Sequence, residues 1–149
     1  MKIDKRASRI FRLSLCALTG FSLSGCISSA TPHPGCETNF STSGGFLTGK
    51  QFSTSEIVQG VPMKDAYSSL YQILAGDGYY IQSANEQQGV ISAYQNVNLS
   101  DKQAPLNAVV KSSGKGAEVS LTFVAAAGVF TPEGGARDEF CRIIHRVGN

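Results

Sequence analysis

Histidine is scarce: His33 and His145 are the only two in 149 residues. Neither has further ligands at the spacing of a zinc site, which needs three or four converging side chains. No C-x-x-C and no G-x-S-x-G occurs, so the short redox and nucleophile-elbow signatures are missing. Long apolar runs are missing too. Residues 13–23 are the best candidate, but they carry Ser and Thr and fall well short of the roughly twenty residues needed to span a bilayer. Beyond residue 12, Lys and Arg are scattered. Phosphate binding needs them clustered, so nucleic acid is not an expected partner. Asp138 and Glu139 are adjacent and point apart on a helix, which reads as a solvated pair. No catalytic residue, metal ligand or cofactor is expected from these patterns.

What is present begins at the N-terminus. Lys2, Lys5, Arg6, Arg9 and Arg12 form a basic start, and residues 13–23 form a short apolar middle. Together they read as a signal peptide. The segment closes on Leu23-Ser24-Gly25-Cys26, which resembles the lipobox of bacterial lipoproteins. The resemblance implies cleavage between Gly25 and Cys26, a diacylglycerol on the Cys26 sulfur and a third acyl chain on the new amino group. Two chains already hold a protein stably on a membrane. An ordinary secretory signal cut nearby is the alternative. Position 27 is Ile rather than the Asp that in such families retains the protein in the inner membrane. The resemblance therefore implies the outer membrane, facing the periplasm.

Cleavage changes the electrostatics. The discarded segment carries five of the 13 basic residues and one of the 11 acidic ones. Eight basic and ten acidic side chains remain, a charge of −2, on 124 residues. That length suits one compact domain. Cleavage also sorts the four cysteines. Cys16 is lost and Cys26 is lipidated, which leaves Cys36 and Cys141. In the oxidising compartment that the lipobox implies, the two are expected to form a disulfide; otherwise they are two unrelated small apolar residues.

Residues 26–50 are rich in Ser, Thr, Gly and Pro and read as the lipidated cysteine plus a flexible tether; if Cys36 bonds to Cys141, the free tether is only about residues 27–35 and the residues after Cys36 lie along the domain surface. Gly44-Gly45-Phe46-Leu47-Thr48-Gly49-Lys50 matches the spacing of a phosphate-binding loop. The motif requires a strand before, a helix after and Ser or Thr following the Lys. Gln51 follows here, so no nucleotide is expected.

Residues 51–149 read as an α+β domain. A strand over 52–59 precedes a helix opened by Pro62, with Met63, Ala66, Tyr67, Leu70, Ile73 and Leu74 on one stripe. Strands are expected at 79–84, 90–95, 106–111 and 117–124, with a polar loop over 96–105. The last strand alternates Ala117, Val119, Leu121 and Phe123 with Glu118, Ser120 and Thr122, the mark of a half-buried antiparallel strand. Thr131-Pro132-Glu133 has helix-start chemistry, with a start delayed by Gly134-Gly135 as the alternative, and the closing helix carries Ala136, Phe140, Ile143, Ile144 and Val147. The expected order is β-α-β-β-β-β-α, an antiparallel sheet with two helices on one face. The Pro62 helix, the Gly78-Tyr79-Tyr80-Ile81 strand entry, the Gly89-Val90-Ile91 turn exit and the closing helix resemble the helix-grip-type domains of bacterial outer-membrane lipoproteins of the BamC kind. A fold of this type leaves function open.

Tyr67, Tyr79, Tyr80 and Tyr94 are the candidate ligand or partner surface; the competing account packs each ring and wets its hydroxyl. Cys141 near His145 also raises a thiol nucleophile, with a disulfide as the competing account. The expected function is a non-enzymatic accessory or interaction module, held on the membrane through Cys26 and bound to an envelope protein. The alternative is a lipid- or small-molecule-binding domain with a pocket between helix and sheet.

Overall fold

The computed structural model describes residues 35–96 and 103–149. The signal segment, Cys26 and His33 lie outside the described residues. Eight elements follow one another: β1 (Ser41–Gly45), β2 (Gly49–Val58), α1 (Met63–Gly76), β3 (Tyr80–Asn85), β4 (Val90–Asn96), β5 (Gln103–Ser113), β6 (Gly116–Ala125) and α2 (Glu133–Arg146). The strands form one antiparallel sheet in the order β1-β2-β6-β5-β4-β3. This is the α+β class expected, with one strand more at the front.

That extra strand corrects the tether. Ser41-Thr42-Ser43-Gly44-Gly45 has little strand propensity, yet it pairs with β2 in register from Ser41↔Ser53 to Gly45↔Gly49. The turn of this hairpin is the supposed phosphate loop. Gly44 sits at φ +77°, and a Cβ there would lie 2.3 Å from the Gly49 carbonyl oxygen. Glycine is needed for that close approach rather than for a phosphate. The Lys50 ammonium is engaged by Glu133 at 2.7 Å.

Both helices cover the same sheet face. Strand alternation sends Phe52, Ala117, Val119, Leu121, Ala108, Val110, Leu106 and Ile91 inward, all buried. Leu70 and Leu74 of α1 and Phe140, Ile143 and Ile144 of α2 complete the core. Each such side chain contributes about 1.5–3 kcal/mol when removed from water, which outweighs the modest propensity of two 14-residue helices. Pro62 occupies the cap position of α1, extended and just outside the helix. At the other end Gly78 adopts φ +86°; its N–H donates to the Ala75 carbonyl and the Tyr79 N–H to that of Leu74. This pair of bonds turns the chain straight into β3.

α2 begins at Glu133, directly after Pro132, where the Thr131-Pro132-Glu133 start chemistry put it; Gly134 and Gly135 do not delay it, because burial of its apolar stripe outweighs the glycine penalty. One other boundary differs from expectation. β5 begins at Gln103 rather than after Pro105. Pro105 is tolerated in this inner strand because its register partner is Tyr94 on β4, while pairing with β6 starts only at Leu106.

The disulfide is present: Cys36 and Cys141 are joined with Cα atoms 5.4 Å apart. The chain reaches α2 from the N-terminal side along β2. Thr54 Oγ1 donates to the Cys36 carbonyl at 2.5 Å, and the Cys36 N–H donates to Glu56 at 3.1 Å. Phe40 then stacks on Phe52 and meets Phe140 edge-on. With the disulfide formed, the residues after Cys36 are thus fastened along the domain, as that bond implied.

Candidate functional site: the uncovered sheet face

The outward side chains of the sheet form rows that can be followed by register. Ser83 pairs with Ser92, Ser92 with Asn107, Asn107 with Thr122, Thr122 with Ser53, and Ser53 with Ser41. Paired residues share a face. One small, neutral, hydrogen-bonding residue from every strand therefore lies in a single row across the sheet. Ser92 donates to Asn107 Oδ1 at 2.9 Å, and the Ser41 and Ser53 hydroxyls lie 2.8 Å apart. The free valences of these groups point to solvent.

Beside this row stands an aromatic pair. Tyr80 and Tyr94 are direct register partners, with ring centroids 5.3 Å apart and planes inclined by 18°. Tyr80 is 55% exposed. Pro105 extends the row from the other side of Tyr94. The β-bulge between Ile81 and Ser83 brings Ser83 back onto the outer face after Tyr80. Lys111 and Glu118 oppose each other farther along, so the centre of the face is uncharged.

The four candidate tyrosines therefore do not form one surface. Tyr67 on α1 and Tyr79 before β3 are 6% and 7% exposed and belong to the core side. Burial pushes the Tyr67 phenol up, with smaller contributions from Glu86 and Tyr71. Burial first, and then the Glu139 carboxylate, pushes Tyr79 up to about 12. Tyr79 therefore keeps its phenol proton at ordinary pH. Tyr80 and Tyr94 are brought together on the open face. The polar row was partly legible in the alternation of Ser120 and Thr122 in β6; Ser41, Ser53, Ser83 and Ser92 carry no local signal, because serine reads as turn or loop.

On the helix side, Tyr79, Phe123, Pro132, Ala136, Glu139 and Phe140 line an apolar cleft of about 190 Å³. It lies at the start of α2. Drug-sized ligands occupy about 300–1,000 Å³, so this cleft would take only a small fragment. Between α1 and the sheet the core is closed, with Leu70, Leu74, Ala108 and Leu121 fully buried.

Charged clusters here are structural. Asp77, at the end of α1, accepts from Arg142 at 2.8 Å and from Arg146 at 2.8 and 3.0 Å. Burial pushes its carboxyl up, but the two guanidinium bonds outweigh this and hold it below its ordinary value. The bonds that Arg142 donates to Glu139 and Asp77 raise its own value in turn. Glu56 joins the Cys36 N–H to His145 Nε2, the latter at 3.0 Å. Cys141 is in the disulfide, so it presents no thiolate to His145. Among the described residues, no three His, Cys, Asp or Glu side chains converge as a metal ion would require. Among those residues no helix is long and apolar enough to cross a membrane.

No protein-family model matches the chain, and no curated protein does. Among solved structures, one titled "Crystal structure of Ara h 8.0201" is similar to it at a TM-score of 0.38 and 8% identity. The match covers 65% of this chain and 93% of that one.

Proposed function

We propose that this chain is a lipoprotein of the cell envelope, anchored through Cys26 to the outer membrane and facing the periplasm. In this reading it acts as a non-enzymatic accessory module that docks an envelope protein on its open sheet face. The observation that carries the reading is the stacked Tyr80–Tyr94 pair, Tyr80 exposed and Tyr94 half-buried, beside a neutral hydroxyl row on the face opposite both helices. Tyrosine offers a large rigid contact area with a polar tip, at the cost of few frozen torsions. Hydroxyls and amides alongside supply adaptable hydrogen bonds. The anchor motif supplies the location, and the Cys36–Cys141 bond suits an oxidising compartment.

The test combines Tyr80→Ala with Tyr94→Ala in the full-length protein. Capture of the envelope partner should fall at least about tenfold, the loss expected when one aromatic anchor of an interface is removed. Thermal unfolding should change little, since both rings lie outside the core. Unchanged capture by a folded double variant would remove the site. Intact mass of the mature chain tests the anchor separately: three acyl chains on Cys26 are expected.

The rival is a small-molecule carrier using the cleft at the start of α2. Its apolar lining favours it and its volume disfavours it. Saturable uptake of an apolar fragment, abolished by Ala136→Phe, would promote it.

A further inference from the structure

Of the six large apolar side chains that stand exposed among the described residues, three crowd one end of the sheet. Phe46 and Leu47 form the β1–β2 turn, 56% and 84% exposed, and Phe130 in the β6–α2 connection is 80% exposed. The two loops are fastened together. The Gly128 N–H donates to the Phe46 carbonyl at 2.8 Å, while the Val129 N–H donates to the Ala126 carbonyl at 3.0 Å within the β6–α2 connection itself. Gly49 also sits close to the Ala125 carbonyl. The result is one double-loop tip with its apolar side chains pointing away from the domain.

We propose that this tip rests on the surface of the lipid bilayer in which the protein is anchored. The inference builds on the anchoring part of the proposed function, and three observations choose the bilayer as occupant. First, Leu47 and Phe130 are at least four-fifths exposed and Phe46 more than half, so the three protrude rather than line a groove. A protruding aromatic and aliphatic tip suits penetration of the headgroup layer, where apolar groups bury about 5–10 Å deep. Second, no charged residue occurs in 41–49 or in 119–132. The flanking Lys50 and Glu133 neutralise each other at 2.7 Å. Third, the chain outside the described residues has the right length. Cys26 lies nine residues before Gly35, a reach of up to about 30 Å. Cys36 is held at Thr54, five strand residues from the start of β2, or about 17 Å. A lipid on Cys26 and the tip can therefore meet the same plane. Contact at both points would fix the orientation of the domain, where a single tether would let it tumble.

The chain has no tryptophan, so Leu47→Trp and Phe130→Trp each place a sole reporter on the tip. Lys115→Trp is the control, in the β5–β6 turn at the far end of β6, roughly 30 Å away. The full mature chain is held on vesicles of phosphatidylethanolamine and phosphatidylglycerol with brominated acyl chains. One set uses its own lipid; the other uses an N-terminal hexahistidine on a nickel-chelating lipid. Loss of about half or more of the emission at positions 47 and 130, with little loss at 115, is expected for burial in the acyl boundary. Mass and flotation of the first set report whether the natural anchor exists. The second set decides the tip whatever that outcome. Tip tryptophans quenched no more than the control, on vesicles that carry the protein, would overturn the proposal and leave the tip to a protein partner.

Discussion

Replacing both Cys36 and Cys141 with Ala should cost this domain a large part of its stability. The bond joins residues 105 apart in sequence. The loop-closure argument for a loop of about 100 residues gives about 4.7 kcal/mol at 25 °C, since the unbonded unfolded chain gains that much freedom. Small domains are stable by only about 5–15 kcal/mol, so the loss would be a third or more of the total. The structure gives reasons for the native side to add to this cost. Both cysteines are buried, and the same segment places Phe40 against Phe52 and Phe140. Urea unfolding followed by circular dichroism would measure the change. The midpoint should fall, and the denaturant slope should rise because the unbonded chain unfolds to a more expanded state. The melting temperature should drop by roughly 15–20 °C for a domain of this size. A loss below about 1 kcal/mol, with the slope unchanged, would refute the reasoning and mean that the bond closes a loop already restricted in the unfolded chain.

Three further substitutions probe the fold. Gly134→Ala lies within α2, where an added Cβ meets nothing within 4 Å, so it should stabilise by about 0.5–1 kcal/mol in the same unfolding assay. Gly89→Ala should do the opposite: Gly89 has φ +68° and its Cβ would fall 2.0 Å from the Val110 carbonyl oxygen. A cost of at least about 1–3 kcal/mol is expected from the backbone conformation alone, read as a lower urea midpoint. Asp77→Asn tests the helix clamp by pH. The folded-state carboxyl titrates below its unfolded value, so its contribution is complete above about pH 4 and is lost as pH falls through the folded value. Its half-exposed arginine partners hold the contribution at pH 7 to about 0.5–1 kcal/mol. The variant should match the wild type at low pH and fall below it at neutral pH.

Much of the domain was legible because its strongest patterns are periodic. The α1 stripe of Ala66, Tyr67, Leu70, Ile73 and Leu74 is the buried stripe observed, and the alternating residues of β6 divide between faces as expected. The pairing of Cys36 with Cys141 followed from chemistry rather than pattern. β1 was not legible, because Ser-Thr-Ser-Gly-Gly is turn composition. It is a strand through tertiary fastening at Cys36, Phe40 and the β2 ladder. The start of α2 was obscured by Gly134-Gly135 for the converse reason, since packing overrides a local penalty. The candidate tyrosines came apart because the alternation of extended chain puts neighbours Tyr79 and Tyr80 on opposite faces. Only the register of β3 with β4 shows that Tyr80 meets Tyr94 rather than Tyr67. Likewise the row from Ser41 to Ser83 exists only once six strands are placed side by side.

The claim that the open sheet face docks a partner is tested most directly by position-specific photo-crosslinking in living cells. A photoreactive amino acid replaces Tyr80 or Tyr94 in the full chain, with Gln72 on the outer side of α1 as control. One discrete protein adduct is expected, common to positions 80 and 94, absent at 72 and lost when Cys26→Ser removes the anchor. No adduct at 80 and 94, or the same adduct pattern at 72, would contradict the claim.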